Sequence, residues 1–175
     1  MEKTALLKEA SLETLQICPP EWFGTDWFLL TAGTPDHFNT MTAGWGSIGK
    51  IWNMPSFQAY VRENRYTFEF MEDCDIFTAS FFEPKYRQAL MFCGSHSGRD
   101  CDKIKETGLT PVLVDNGGIA FEQAREVLVC RKVYADLLEA DNFVDKDVFA
   151  QSYGGAENPV HKMYIGEILK YYTQA

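Results

Sequence analysis

Glu126-Val127-Leu128-Val129-Cys130-Arg131-Lys132-Val133-Tyr134-Ala135-Asp136-Leu137-Leu138 is the stretch whose reading decides the fold. Successive side chains of an extended chain point to opposite sides, so Val127, Val129, Arg131 and Val133 share one face and Leu128, Cys130, Lys132 and Tyr134 the other. Apolar residues stand on both faces. That pattern suits a long barrel strand with two partly covered faces.

Working outward, residues 163–171 read as the last strand and residues 76–82, β-branched and aromatic, as another. Residues 27–32 and 38–45 form a hairpin-like pair around the turn Gly33-Thr34-Pro35-Asp36. Gly44, Gly46 and Gly49 are expected to break regular structure before a strand at 57–62, where Phe57, Ala59 and Val61 alternate with Gln58, Tyr60 and Arg62. Asn64 is expected to cap a helix over 65–71. Pro84 starts a second helix, with Tyr86, Ala89, Leu90 and Cys93 at helical spacing, which Gly94 closes. A helix over 100–107 ends at Gly108, and Asn116-Gly117-Gly118 turns between short strands at 112–114 and 119–121. At the N-terminus, residues 1–15 read as a short helix stopped by Cys18-Pro19-Pro20. Many strands with short interrupting helices point to a mostly antiparallel barrel. A doubly wound dinucleotide fold is disfavoured, because no G-x-G-x-x-G follows a strand.

The chain has 175 residues, 46% of them hydrophobic, enough for one substantial core and short for two, so we read a single domain over 1–175 with 1–20 as an N-terminal extension. Its formal charge of −9 repels polyanions, which argues against nucleic acid as a partner. The first twenty residues carry Glu2, Lys3, Lys8, Glu9 and Glu13 and resemble neither a signal peptide nor a membrane span, so the expectation is a cytoplasmic protein without a membrane partner. Five widely spaced cysteines lack a C-x-x-C pair, and the three histidines have no partner at ligand spacing, so no metal site is expected.

Four segments carry the chemistry. In Asn39-Thr40-Met41-Thr42-Ala43-Gly44-Trp45-Gly46, small side chains expose backbone amides to a flat ring while Trp45 offers an apolar wall; a plain strand and turn with a core Trp is the bland alternative. In Val61-Arg62-Glu63-Asn64-Arg65-Tyr66-Thr67, two guanidiniums and a hydroxyl gather where a strand yields to a helix start, the make-up of a phosphate site. The competing reading makes Arg62 and Arg65 solvent-facing partners of Glu63, Glu69 or Glu72. In the third segment, residues 94–103, Ser95, Ser97 and Gly98 form a loop that can wrap a phosphate or a ring edge, with Lys103 reaching back one turn; such loops also merely cap helices. In the fourth, His161 opens the last strand and could bond or protonate a substrate, or serve as a satisfied structural histidine.

In order and spacing these four segments resemble the flavin reductase-like, FMN-binding split-barrel family, which includes the flavoredoxins. The likeness spans roughly residues 25 to 170 and implies an antiparallel split β-barrel, of Greek-key type with short flanking helices, that binds FMN. It further implies a homodimer with the flavin near the subunit interface. Cofactor contacts would then fall to Asn39, Thr42, Ala43 and Trp45 at the ring. Arg62, Arg65, Tyr66 and Thr67 would serve the phosphate and ribityl arm, and Ser95, Ser97, Gly98 and Lys103 the remaining polar groups. The activity implied is an oxidoreductase passing hydride from NADH or NADPH to flavin N5, with His161 on the substrate side and no catalytic side chain required. Many nicotinamide-using members have Gly-Asp-His where this chain has Pro159-Val160-His161. An electron carrier that docks another redox protein therefore stands beside the reductase reading.

Overall fold

A computed structural model describes residues 6–16, 20–155 and 158–175. In chain order it contains β1 (Leu7–Ala10), β2 (Phe28–Thr34), β3 (His37–Ala43), β4 (Gly46–Ile51), β5 (Met54–Arg62), α1 (Tyr66–Asp73) and β6 (Ile76–Phe82). There follow α2 (Arg87–Ser95), α3 (Lys103–Thr107), β7 (Pro111–Leu113), β8 (Ile119–Phe121), β9 (Ala124–Leu137), α4 (Lys146–Tyr153) and β10 (His161–Gln174). The fold is mostly β, and every strand pair in it is antiparallel. The main sheet runs β3-β2-β6-β9-β10-β5-β4, with β1 also on β10, while β7 and β8 make a separate ribbon.

Strands from distant parts of this path meet inside, which bends the sheet into a barrel. Phe28 of β2 and Phe57 of β5 pack with ring centroids 5.3 Å apart, and Phe81 of β6 lies 5.4 Å from Phe28. All three are fully buried, each worth about 1.5–3 kcal/mol of transfer free energy. The alternation expected of β9 divides two cores: Leu128 and Cys130 join the barrel interior, while Val127 and Val129 face a second cluster with Leu29, Leu90, Val112 and Phe121. No helix among the described residues is long and apolar enough to cross a membrane.

Several local expectations are corrected. Within the described part of the expected N-terminal helix, Leu7–Ala10 is strand β1, because the far half of β10 offers it a partner, Leu7 opposite Gln174 and Ala10 opposite Tyr171, and only Leu12–Thr14 makes a single helical turn. Cys18 and Pro19 of the expected stop signal, like residues 1–5, lie outside the described residues. Trp27 precedes β2 with a left-handed φ of 63°. Gly46 and Gly49 lie within β4 rather than in a break, and the chain reverses instead at Trp52-Asn53, both left-handed (φ 49° and 61°) as a two-residue hairpin requires. Gly46 is small because a Cβ there would sit 2.7 Å from the Phe23 ring. Asn64 does not cap α1, whose N-cap is Arg65 without a side-chain bond. Gly94 lies inside α2, which runs on through Ser95, and a Cβ on Gly94 would come 3.2 Å from Thr42 Cβ. The expected helix over 100–107 begins only at Lys103, where the Asp102 carboxylate accepts from the N–H groups of Ile104 and Lys105.

Long β10 serves two partners in succession, β5 along its first half and β1 along its second, while β9 follows it throughout. Bulges against β9 at Ile165/Gly166 and Ile168/Lys170 allow that bend. Gly166 is required there, since a Cβ would lie 2.6 Å from the Phe77 ring and 2.9 Å from Cys130 Cβ. Gly166→Ala is expected to cost about 1–3 kcal/mol of stability, as other overpacked cores do, read as a lower urea midpoint at unchanged m.

Candidate functional site

The pairing of β10 with β5 sets His161 opposite Arg62 and Met163 opposite Tyr60. Tyr60 and Arg62 are two residues apart on β5 and share a face, and Arg65 follows at the N-cap of α1. With Thr42 and Ala43 from the end of β3 and Gly44 and Trp45 just after it, Tyr60, Arg62, Arg65 and His161 line a cavity of about 310 Å³. An adjoining cavity of about 400 Å³ shares Thr42, Gly44 and Arg65 with it and adds Trp27, Leu90, Met91, Gly94 and Ser95. Trp27 is held at that wall by the Arg87 guanidinium, 3.3 Å from the ring centroid.

Two permanent positive charges stand on this trough. Arg62 Nη1 donates to Asn158 Oδ1 at 2.8 Å, and Arg65 Nη1 donates to the Gly94 carbonyl at 3.1 Å. Both acceptors are neutral. Among the described residues neither arginine is in an ion pair: Glu69 is paired with Arg99, and Glu72 with Lys162 at 2.6 Å and with the Tyr164 hydroxyl at 2.7 Å. The alternative reading of Arg62 and Arg65 as surface partners of Glu63, Glu69 or Glu72 therefore fails. Each guanidinium carries five N–H donors in a fork and has committed few of them, so the corner fits a phosphate, whose oxygens accept such forks.

His161 is the third polar group. Its ring lies 4.6 Å from that of Trp45, tilted by 37°, and its Nδ1 is 2.9 Å from the Tyr153 hydroxyl. Burial first, then the Arg62 and Arg65 charges, push its pKa down to about 4, so the imidazole is neutral at physiological pH. Burial likewise raises the Tyr60 phenol. Trp45 is half exposed, a free indole face at the rim.

The sequence-derived site residues separate into groups. Thr42, Ala43, Trp45, Arg62, Arg65 and His161 come together around the first cavity, and Ser95 joins Thr42 and Arg65 at the second. Asn39, Tyr66, Gly98 and Lys103 line a different cavity of about 220 Å³. Several of these side chains are engaged by the protein itself. Asn39 Nδ2 donates to Thr67 Oγ1 at 2.7 Å, tying β3 to α1, and Thr67 is fully buried. Lys103 is buried, 6% exposed, and its ammonium donates to the carbonyls of Thr40 and Cys93, both at 2.8 Å, while burial lowers its pKa. Thr42 Oγ1 donates to the Leu90 carbonyl, Ser95 Oγ to that of Met91, and Ser97 Oγ accepts from the Arg99 N–H.

Sequence reasoning missed Tyr60, Trp27, Tyr153 and Asn158. Tyr60 was legible, since its place two residues before Arg62 puts it on the same face of the strand. Tyr153 and Asn158 come from the region between β9 and β10, where no motif marked them; α4 forms there because Asp145 caps it, accepting from the N–H groups of Asp147 at 2.9 Å and Val148 at 3.3 Å. No group of three or more His, Cys, Asp or Glu among the described residues could hold a metal ion.

Comparison with known proteins gives the same fold. The sequence matches the family described as flavin reductase like domain over residues 22–175. No curated protein matches it. Among solved structures, an FMN-binding domain of a flavin reductases-like enzyme from Shewanella baltica superposes with a TM-score of 0.69 at 15% identity, covering 99% of this chain and 79% of that one. Flavoredoxin of Desulfovibrio vulgaris gives 0.66 at 21% identity, covering 95% and 77%. An NADH:FAD oxidoreductase of Streptomyces globisporus gives 0.62 at 18%, covering 86% and 76%. These likenesses establish the split-barrel architecture.

The environment of His161 sets a pH dependence. Its folded pKa of about 4 lies below the ordinary 6.5, so between those values the unfolded chain takes up a proton that the native imidazole refuses. Its contribution to stability is thus complete above about pH 6.5 and declines as pH falls toward about 4. NMR titration of the His161 ring should give a midpoint near 4, rising when Arg62→Ala removes a nearby positive charge; a midpoint at the ordinary value contradicts this environment.

Proposed function

We propose that this chain, which belongs to the flavin reductase-like domain family, binds FMN non-covalently in the trough between β3, β5 and α2 and is reduced there by NADH or NADPH. The observation that carries this reading is the pair Arg62 and Arg65, two guanidiniums on one cavity without a carboxylate partner among the described residues. A phosphate is the ligand group that answers both. Arg62 and Arg65 would grip the phosphate end, with Ser95 nearby. The backbone of Thr42, Ala43 and Gly44 and the indole of Trp45 would bound the ring. Asn39, Tyr66, Thr67, Ser97, Gly98 and Lys103 would act from behind by holding β3, α1 and the α2–α3 loop in register. The chemistry such a site draws from bound FMN is acceptance of hydride at N5 from a reduced nicotinamide. This chain's residues orient, exclude water and balance charge, and none need move a proton.

A homodimer belongs to this reading, with the second subunit covering the half-exposed Trp45. The second reading, an electron carrier that docks another redox protein, is favoured by Pro159-Val160 ahead of His161, where many nicotinamide users have Gly-Asp.

Purified protein is expected to be yellow or to turn yellow with FMN. Arg62→Ala and Arg65→Ala should each weaken FMN by about 10- to 100-fold, the size of a lost charge-assisted contact, while leaving riboflavin, which has no phosphate, nearly unaffected. Equal losses for both ligands would remove the phosphate assignment. Under anaerobic conditions, bleaching of the flavin by NADH or NADPH supports the reductase, and a spectrum that persists with both supports the carrier.

A further inference from the structure

Tyr153 closes α4 and is 6% exposed, its ring 5.4 Å from that of Phe149, 5.7 Å from that of His161 and 6.1 Å from that of Phe143. Only its hydroxyl addresses the site, 2.9 Å from His161 Nδ1. Burial raises the pKa of the phenol and keeps it protonated, and His161 Nδ1 is the one hydrogen-bond partner of that hydroxyl among the described residues. A buried phenol proton needs an acceptor and Nδ1 is the partner within reach, while the Arg62 guanidinium carbon, 5.8 Å from the ring centroid, makes the O–H more acidic, so the phenol proton turns to Nδ1. A neutral imidazole has one N–H and one lone pair, so accepting at Nδ1 leaves the hydrogen on Nε2, the ring nitrogen still available to the cavity.

We propose that Tyr153 is a positioning residue: its hydroxyl donates to His161 Nδ1, fixing the Nε2–H tautomer, so that His161 offers the cavity a neutral donor suited to the carboxamide oxygen of a nicotinamide. The substrate half of this inference rests on the reductase reading above; the tautomer half does not. It also accounts for the polar character of the trough. Arg62, Arg65 and His161 would then all present donors, which suits a ligand rich in carbonyl and phosphate oxygens. The Trp45 ring against His161 keeps the imidazole from rotating out of that position.

The full-length protein labelled with 15N-histidine tests this directly, because its three histidines give few ring signals and His161→Gln identifies the relevant pair. The wild type should carry its ring proton on Nε2 near neutral pH; a proton on Nδ1 overturns the proposal. Tyr153→Phe keeps the aromatic packing and removes the donor, and should yield a mixture of tautomers. An unchanged Nε2–H population in that variant would also overturn it. In anaerobic reduction the same variant should raise the KM for the nicotinamide by about fivefold, the equivalent of one neutral hydrogen bond, with FMN affinity unchanged within about twofold. If neither nicotinamide reduces the wild type, the reductase reading falls with the carboxamide assignment, and the tautomer still decides the role of Tyr153.

Discussion

Backbone pairing between the first half of β10 and β5 is the constraint from which the site follows. It sets His161 opposite Arg62 and Met163 opposite Tyr60, so a residue near the end of the chain and one about a third of the way along it are neighbours by register rather than by side-chain attraction. Beyond Glu167, β10 leaves β5 and takes β1 as its partner, while β9 stays beside it through two bulges. The bend brings Phe28, Phe57 and Phe81 into one interior and leaves the end of β5, with its arginine, at a rim where β3, α1 and α2 also arrive. One glycine under the Phe77 ring makes the geometry affordable to the backbone.

At that rim the electrostatic arrangement is asymmetric. Acidic residues outnumber basic ones across the chain, 25 to 16, yet among the described residues Arg62 and Arg65 donate only to neutral partners, Asn158 and Gly94, while Glu69 and Glu72 are held by Arg99 and Lys162. Surface ion pairs contribute at most about 1 kcal/mol, so leaving two arginines unpaired costs the fold little. A charge-assisted contact to a ligand oxygen contributes about 1.5–3 kcal/mol, so the same two groups can contribute substantially to binding. The two positive charges also help burial keep His161 neutral, which ties the phosphate corner to the state of the imidazole.

Much of this was legible in the residues. The alternation in β9 reported both of its covered faces, and the short segment from Val61 to Thr67 marked the strand-to-helix corner, because both signals are local. What stayed hidden depended on contacts between distant segments. Lys103 and Thr67 looked like ligand groups by type, but their polar atoms are engaged by Thr40, Cys93 and Asn39 from other elements. Gly46 looked like a chain break and is small because Phe23 packs on it. The hairpin between β4 and β5 turns on Trp52-Asn53, neither a glycine, so turn chemistry gave no warning. Tyr153 and Asn158 support His161 and Arg62 from a region whose sequence carries no motif.

A crystal structure of the protein soaked or grown with FMN tests the central claim most directly. The account predicts the phosphate between the Arg62 and Arg65 guanidiniums, hydrogen-bonded to both, with the ring against the Thr42–Gly44 backbone and Trp45. A phosphate bound instead at the Ser97–Lys103 loop, with Arg62 and Arg65 turned to solvent, would contradict it.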